Sequence, residues 1–177
     1  MREILKIAKK YNLKVISDTA QAPGAFYNKS YAGTFGDIGG FSLNCHKHIN
    51  TGEGGILVTN NKKYAERLRL IRNHAEAVVD ETVNNNTPNM IGHNFRLGEI
   101  ESAIGYQQLK KLTKIVKFRN SLAKKLILNL RALPGLSLPQ IRKNASHVFY
   151  IFPMAIKNGF KIDRKKLILN LKKRGFP

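Results

Sequence analysis

One cysteine, no tryptophan and only 11 acidic residues in 177 set the first limits on this chain. A lone Cys45 cannot close an internal disulfide, so packing must hold the fold. Its presence as a free thiol points to a reducing compartment, read here as the cytoplasm. No apolar run approaches the roughly 20 residues that a membrane-spanning helix needs. The N-terminal stretch MREILKIAKKYNLKVISDTA reads as an amphipathic helix followed by a strand, not as a signal peptide. Internal repeats and low-complexity linkers are also lacking. What is present, 42% hydrophobic and 24% charged residues, is the composition of a packed globular chain. Its length suits one ordinary domain, or one domain and part of another.

The shortage of acid is uneven. Residues 1–100 carry 13 basic and 9 acidic residues, a net of +4, whereas 101–177 carry 18 and 2, a net of +16. A charge of +20 can signal a nucleic-acid partner. Here, though, most of the excess lies in KKLTKIVKFRNSLAKKLILNLRAL and DRKKLILNLKKRG. In both, lysines alternate with apolar positions as on a solvated helix face. A lysine-rich surface is the preferred reading, and nucleic acid is not expected as a partner.

The pattern predicts a helix over 2–11, a buried strand over 14–17 leading into Asp18, and short strands over 39–43 and 55–59. A second helix is expected over 62–73 and a polar loop over 74–94. A long helix should run from Gly98 to Leu133 with a bend near Lys114, stopped by Pro134-Gly135. A strand over 148–156 and a helix over 163–174, capped by Asp163, complete the reading. Helices delivering into strands that end in polar residues make an α/β chain, and in such sheets ligands sit at the carboxyl ends of the strands. Asp18 stands at such an end.

Three chemical features cluster along the chain: Asp18-Thr-Ala-Gln21, Ser42 with Lys47, and the glycines of Thr51-Gly-Glu-Gly-Gly55. A lysine is a useful nucleophile toward carbonyls only if held near them and partly desolvated. Lys47 lies in a short loop between two apolar strands, among Cys45, His46, His48 and Ile49, although most lysines in turns do nothing more. Cys45, His46 and His48 include good zinc donors, but no CxxC or HxxxH partner follows and His74, His93 and His147 are scattered. No metal site is expected. A phosphate-binding GxxxxGK[ST] loop is absent. Phe26, Tyr27 and Tyr31 could line a pocket, with core packing the commoner fate of such rings.

The stretch ISDTAQAPGAFYNKSYAGTFGDIGGFSLNCHKHINTGEGGILVT resembles the DegT/DnrJ/EryC1/StrS family of sugar aminotransferases, as does GHNFRLGEIESAIGYQQLKKL further on. IDRKKLILNLKKRGFP is similar to the start of that family's C-terminal domain. The resemblance implies a fold-type-I scaffold like that of aspartate aminotransferase. Residues 1–117 would be part of the large α/β/α cofactor-binding domain, and 118–177 a connecting helix and part of a small α+β domain. It implies pyridoxal 5′-phosphate as cofactor, with Lys47 bonding it and then shuttling a proton. Asp18 would pair with the pyridinium nitrogen so that the ring acts as an electron sink. Ala20 would pack on the ring, Gln21 would bond its 3-oxygen side, and Ser42 would bind the phosphate. Asn94 would reach the neighbouring subunit's site, making a homodimer part of the mechanism. Arg96 and His46 are further candidates for the substrate site.

The expected reaction moves an amino group, usually from glutamate, to a keto-sugar attached to a nucleotide, in surface-polysaccharide or amino-sugar biosynthesis. Family members are about twice this length, and the glycine-threonine turn and stacking aromatic of their N-terminal half have no counterpart here. The alternative is a truncated or non-catalytic member with a regulatory or nucleic-acid-binding role.

Overall fold

The computed structural model describes residues 1–76 and 90–176; the asparagine-rich part of the expected polar loop lies outside them. Helix α1 (Arg2–Lys10) buries Ala8 and leaves its lysines in solvent. It ends where Asn12 takes a left-handed conformation (φ 51°) and the Leu13 N–H bonds back to the Ala8 carbonyl at 2.8 Å. Asparagine tolerates that conformation better than most residues.

Strand β1 (Ile16–Asp18) starts two residues later than expected. Val15 is already committed elsewhere: its N–H donates to Asp37 Oδ2 at 2.8 Å and its carbonyl accepts from the Asp37 N–H at 2.8 Å. Strands β2 (Phe26–Tyr27) and β3 (Ser30–Tyr31) form a hairpin whose two turn residues, Asn28 and Lys29, have φ of 47° and 66°. Two positive φ values give the turn whose twist matches the flanking strands. The Phe26 and Tyr31 rings pack on each other across it, centroids 4.1 Å apart.

Strand β4 (Ile38–Ser42) runs parallel to β1, and β5 (Gly55–Val58) antiparallel to β4, in the order β1–β4–β5. The register places Asp18 opposite Gly40 and Ser42 opposite Gly55. Two glycines make this possible. A Cβ on Gly39 would overlap the Gly33 carbonyl, and one on Gly33 would enter the Phe41 ring and the Thr19 hydroxyl. The 20–37 excursion therefore lies directly on β4.

Helix α2 (Lys62–Arg72) is capped by Asn61, whose side chain accepts from the Tyr64 N–H at 3.2 Å. Helix α3 (Glu99–Leu130) is one uninterrupted helix of 32 residues passing through Lys114, about 48 Å long. Lys110, Lys111, Lys114, Lys117, Lys124 and Lys125 on it are all exposed. Strands β6 (Leu136–Ser137) and β7 (Ala155–Ile156) pair antiparallel. The strand expected over 148–156 is thus only its last two residues. Phe149 has φ 47° and spends its N–H on His147 Nδ1, and Pro153 has no N–H to give. Helix α4 (Arg164–Lys173) is capped as expected, Asp163 Oδ1 accepting from the Lys166 N–H at 2.9 Å.

The buried residues are few: Ala25, Leu43, Ile49, Ala123, Val148 and Phe149 are the main apolar ones. The accessible surface is 14,078 Å², against about 8,700 Å² for a compact monomer of this mass. Ile16 on β1 and Ile100 on α3 are 71% and 76% exposed. Apolar faces of both sheet and helices have no cover within the described residues.

Gly39→Ala should lower stability by about 3 kcal/mol, because backbone rather than a flexible side chain would have to move. The urea midpoint of the variant measures it; an unchanged midpoint would show that the 20–37 excursion does not rest on β4.

Candidate active site

Parallel pairing brings the carboxyl ends of β1 and β4 to one edge of the sheet, and β5 starts from that same edge. Asp18 closes β1 there. Its Oδ1 accepts the Ala20 N–H at 3.0 Å, which turns the chain and leaves the other carboxylate oxygen facing outward from that bond. Thr19, 8% exposed, ties the turn to β4 by donating both N–H (2.9 Å) and hydroxyl (2.7 Å) to the Gly40 carbonyl. Ala20 is half-buried and Gln21 exposed on this turn.

Ser42 closes β4. Its Oγ accepts the Asn44 N–H at 3.2 Å, so the hydroxyl proton remains available to an incoming acceptor. The following loop turns at Lys47, whose N–H bonds the Asn44 carbonyl at 2.9 Å. Its anchors are the buried side chains of Leu43, His48 and Ile49, with the Thr51 hydroxyl bonding the Glu53 carbonyl at 2.7 Å. Lys47 is half-buried and its Nζ lies 4.5 Å from the Tyr150 ring centroid. His46 is exposed; only its backbone N–H is engaged, by Asn44 Oδ1 at 3.1 Å.

Asn94 and Arg96 are bonded to the end of α2 instead. The segment 93–96 is strapped to the end of α2 by a bridge between Asn73 and Asn94, and Arg96 Nη1 donates to Asn73 Oδ1 at 2.8 Å. Among the described residues no hydrogen bond links either of them to Asp18, Ser42 or Lys47. A groove of about 900 Å³ lies between β5 and α2, lined by Phe41, Ile56, Leu57, Leu68 and Phe95 among others. Of the candidate residues it touches only Arg96, and its apolar lining marks it as an uncovered packing face rather than a chemical site.

Sequence reasoning weighed His48 only as a neighbour of Lys47 and a zinc donor, and passed over Asn73 and Tyr150. His48 is 6% exposed; its Nε2 donates to the Val148 carbonyl at 2.8 Å, and its Nδ1 is buried without a partner. Burial pushes its pKa below the usual 6.5, the Val148 carbonyl opposes that shift, and the nearby Arg119 and Lys47 charges reinforce it. His147 is lowered as well, by burial. Nothing in the local sequence marks these contacts, since His48 and Val148 are a hundred residues apart.

A carboxylate, a hydroxyl with a free proton and a half-buried amine on one sheet edge form a donor set suited to a phosphorylated pyridine aldehyde. They offer a counter-ion for a ring nitrogen, a donor for a phosphate and an amine for the aldehyde. Among the described residues no group of three or more His, Cys, Asp or Glu could hold a metal ion. No helix among them is long and apolar enough to cross a membrane.

Comparison with known proteins places the chain among aminotransferases. The family model described as DegT/DnrJ/EryC1/StrS aminotransferase family matches residues 1–177. The GDP-perosamine synthase of Escherichia coli O157:H7 is 36% identical over 154 residues, covering 87% of this chain and 40% of that protein. The UDP-4-amino-4,6-dideoxy-N-acetyl-beta-L-altrosamine transaminase of Helicobacter pylori is 30% identical over 177 residues, covering 99% and 46%. Among solved structures, the E. coli GDP-4-keto-6-deoxy-D-mannose-3-dehydratase with bound hydrated PLP superposes with a TM-score of 0.84 at 29% identity, covering 98% of this chain and 48% of that one. The chain spans about half the length of these relatives.

The His48 arrangement carries a pH dependence. The folded chain keeps His48 neutral below the pH, about 6.5, at which an exposed histidine takes up a proton. The unfolded chain then binds more protons, so stability falls as pH drops through that value. The urea midpoint should be lower at pH 5.5 than at 7.5. His48→Gln, whose amide can still donate to the Val148 carbonyl, should flatten part of the decline and leave the share due to His147. Identical slopes in both proteins would remove His48 as a cause.

Proposed function

The chain belongs to the DegT/DnrJ/EryC1/StrS aminotransferase family, and we propose that it serves in a pyridoxal-phosphate-dependent transfer of an amino group to a keto-sugar carried on a nucleotide. One observation supports this above the others: Asp18, Ser42 and the Lys47 loop leave the sheet at the same edge, because β1 and β4 are parallel neighbours. When bound, pyridoxal phosphate supplies a protonated pyridine ring that draws electrons from the carbon beside the substrate nitrogen.

In this reading Asp18 uses the carboxylate oxygen not taken by Ala20 to hold the proton on the ring nitrogen. Ser42 donates its hydroxyl proton to a phosphate oxygen, its own lone pair being satisfied by the Asn44 N–H. Ala20 would pack against the ring, and Gln21 would offer its amide to the ring's 3-oxygen. Lys47 Nζ would hold the cofactor through its aldehyde and, when free, would serve as the base and acid that moves the substrate proton. His46, exposed beside Lys47, is available to the substrate. Glutamate as donor and surface-polysaccharide or amino-sugar biosynthesis as context belong to the same proposal. So does a cytoplasmic setting, supported by the exposed free thiol of Cys45.

A homodimer completes the reading. Asn94 and Arg96 share no hydrogen bond with Lys47 among the described residues and are exposed on a segment fixed to α2. They are offered to a second copy, with Asn94 meeting that copy's phosphate.

Borohydride reduction with pyridoxal phosphate, followed by peptide mass spectrometry, should find the phosphopyridoxyl group on Lys47 in preference to every other lysine; label spread at random would sink the assignment. In the assembled enzyme Lys47→Ala should cut transamination at least about a thousandfold, as loss of a covalent catalyst does. Lys47→Ala and Asn94→Ala subunits, each inactive alone, should regain about a quarter of the activity on mixing, since half the dimers then carry one intact site. No recovery would place Asn94 in its own subunit's site, and an Asn94→Ala subunit active alone would place it outside both.

A further inference from the structure

Residues 147–150 hold an unusual conformation. Phe149 is bulky, 4% exposed and left-handed at φ 47°, a state that persists only where the surroundings over-determine it. Four bonds do so here. Val148 O accepts from His48 Nε2 at 2.8 Å, and Phe149 O from Arg119 Nη1 at 3.3 Å. His147 O accepts from Asn120 Nδ2 at 2.9 Å, and His147 Nδ1 from the Phe149 N–H at 2.8 Å. Helix α3 and the lysine loop thus grip the same four residues from two elements.

The outcome of that grip is the placing of Tyr150. Its half-buried ring lies 4.5 Å from Lys47 Nζ, with the hydroxyl at 3.5 Å. The second distance is too long for more than a weak hydrogen bond, so the ring face is the stronger contact. The His48 ring packs on Tyr150 as well, centroids 5.8 Å apart. Among the described residues Lys47 makes no ion pair with a carboxylate, so the aromatic face is its principal partner.

We propose that Tyr150 is a positioning residue for Lys47: its ring is the perch on which the amine rests whenever it is not bonded to the cofactor. This rests on the reading of Lys47 as the cofactor lysine. The ring attracts the charged amine, which must leave before its nitrogen lone pair can reach an electrophile. The perch therefore gives the free amine one resting place, and departure from it precedes every bond that Lys47 forms.

Competitive acetylation of the full chain tests this without any cofactor. The uncharged Lys47 nitrogen attacks the carbonyl of N-hydroxysuccinimidyl acetate, N-hydroxysuccinimide leaves as its anion and the amine's proton passes to water. Mass spectrometry then gives the Lys47 rate relative to Lys165 and Lys172 on α4. Tyr150→Phe should stay within about twofold of the unsubstituted chain. Pentafluorophenylalanine at 150, of similar shape but without the negative ring face, should speed Lys47 alone by about two- to fivefold, as should Tyr150→Leu. If Tyr150→Leu accelerates lysines throughout, it has opened the fold, and the fluorinated chain decides. A Lys47 rate unchanged or slower in the fluorinated chain overturns the perch. The two readings fail separately. Acceleration at Lys47 without a pyridoxal label there would support the perch and sink only the cofactor assignment. A label without acceleration would sink only the perch.

Discussion

Parallel pairing of β1 with β4 is possible only because backbone meets backbone where Gly33 crosses Gly39. Between those two strands the chain makes the 20–37 excursion containing a hairpin, and it must return flat against the strand it is about to form. A methyl group at either glycine would prop the excursion away from β4. With it would go the two bonds from Thr19 to Gly40, and so the position of Asp18 at the sheet edge. Asp37 seals the opposite end, where its carboxylate takes the Val15 N–H and its carbonyl the Thr59 hydroxyl at 2.6 Å. The candidate site is thus fixed by a glycine contact and a carboxylate, neither of which would take part in chemistry.

The lysine loop is held differently. Its far anchor is the segment after α3, reached through His48 and Val148. A neutral imidazole with one nitrogen satisfied and the other buried is stable only while it stays unprotonated, which couples the loop's anchorage to pH. The same anchor carries Tyr150 to Lys47. One contact therefore serves both the stability of the loop and the placing of its amine.

Exposed residues such as Ile16, Leu57, Ile100 and Phe118 show that the described residues leave apolar area uncovered. Such residues occur on β1, β5, α1, α3 and α4, while the lysines of α3 remain in water. The strong positive charge and the apolar faces are therefore separate features. The first is a solvated helix surface; the second is unfinished packing.

The sequence determined local structure and chemical identity. Asp163 and the residues after it spelled a capped helix, lysine alternation marked the solvated side of α3, and the ordered Asp18, Ser42 and Lys47 pointed to a family before any coordinates. These signals are legible because periodicity, capping and motif spacing act within a few residues of chain. Only the tertiary structure decided the rest. It moved β1 to Ile16 because Asp37 claims Val15, dissolved most of the strand expected over 148–156 because His147 claims the Phe149 N–H, and brought Tyr150 and Val148 to the lysine loop. Those outcomes come from competition for single backbone donors and from contacts a hundred residues apart. A local pattern carries no record of which distant group will win.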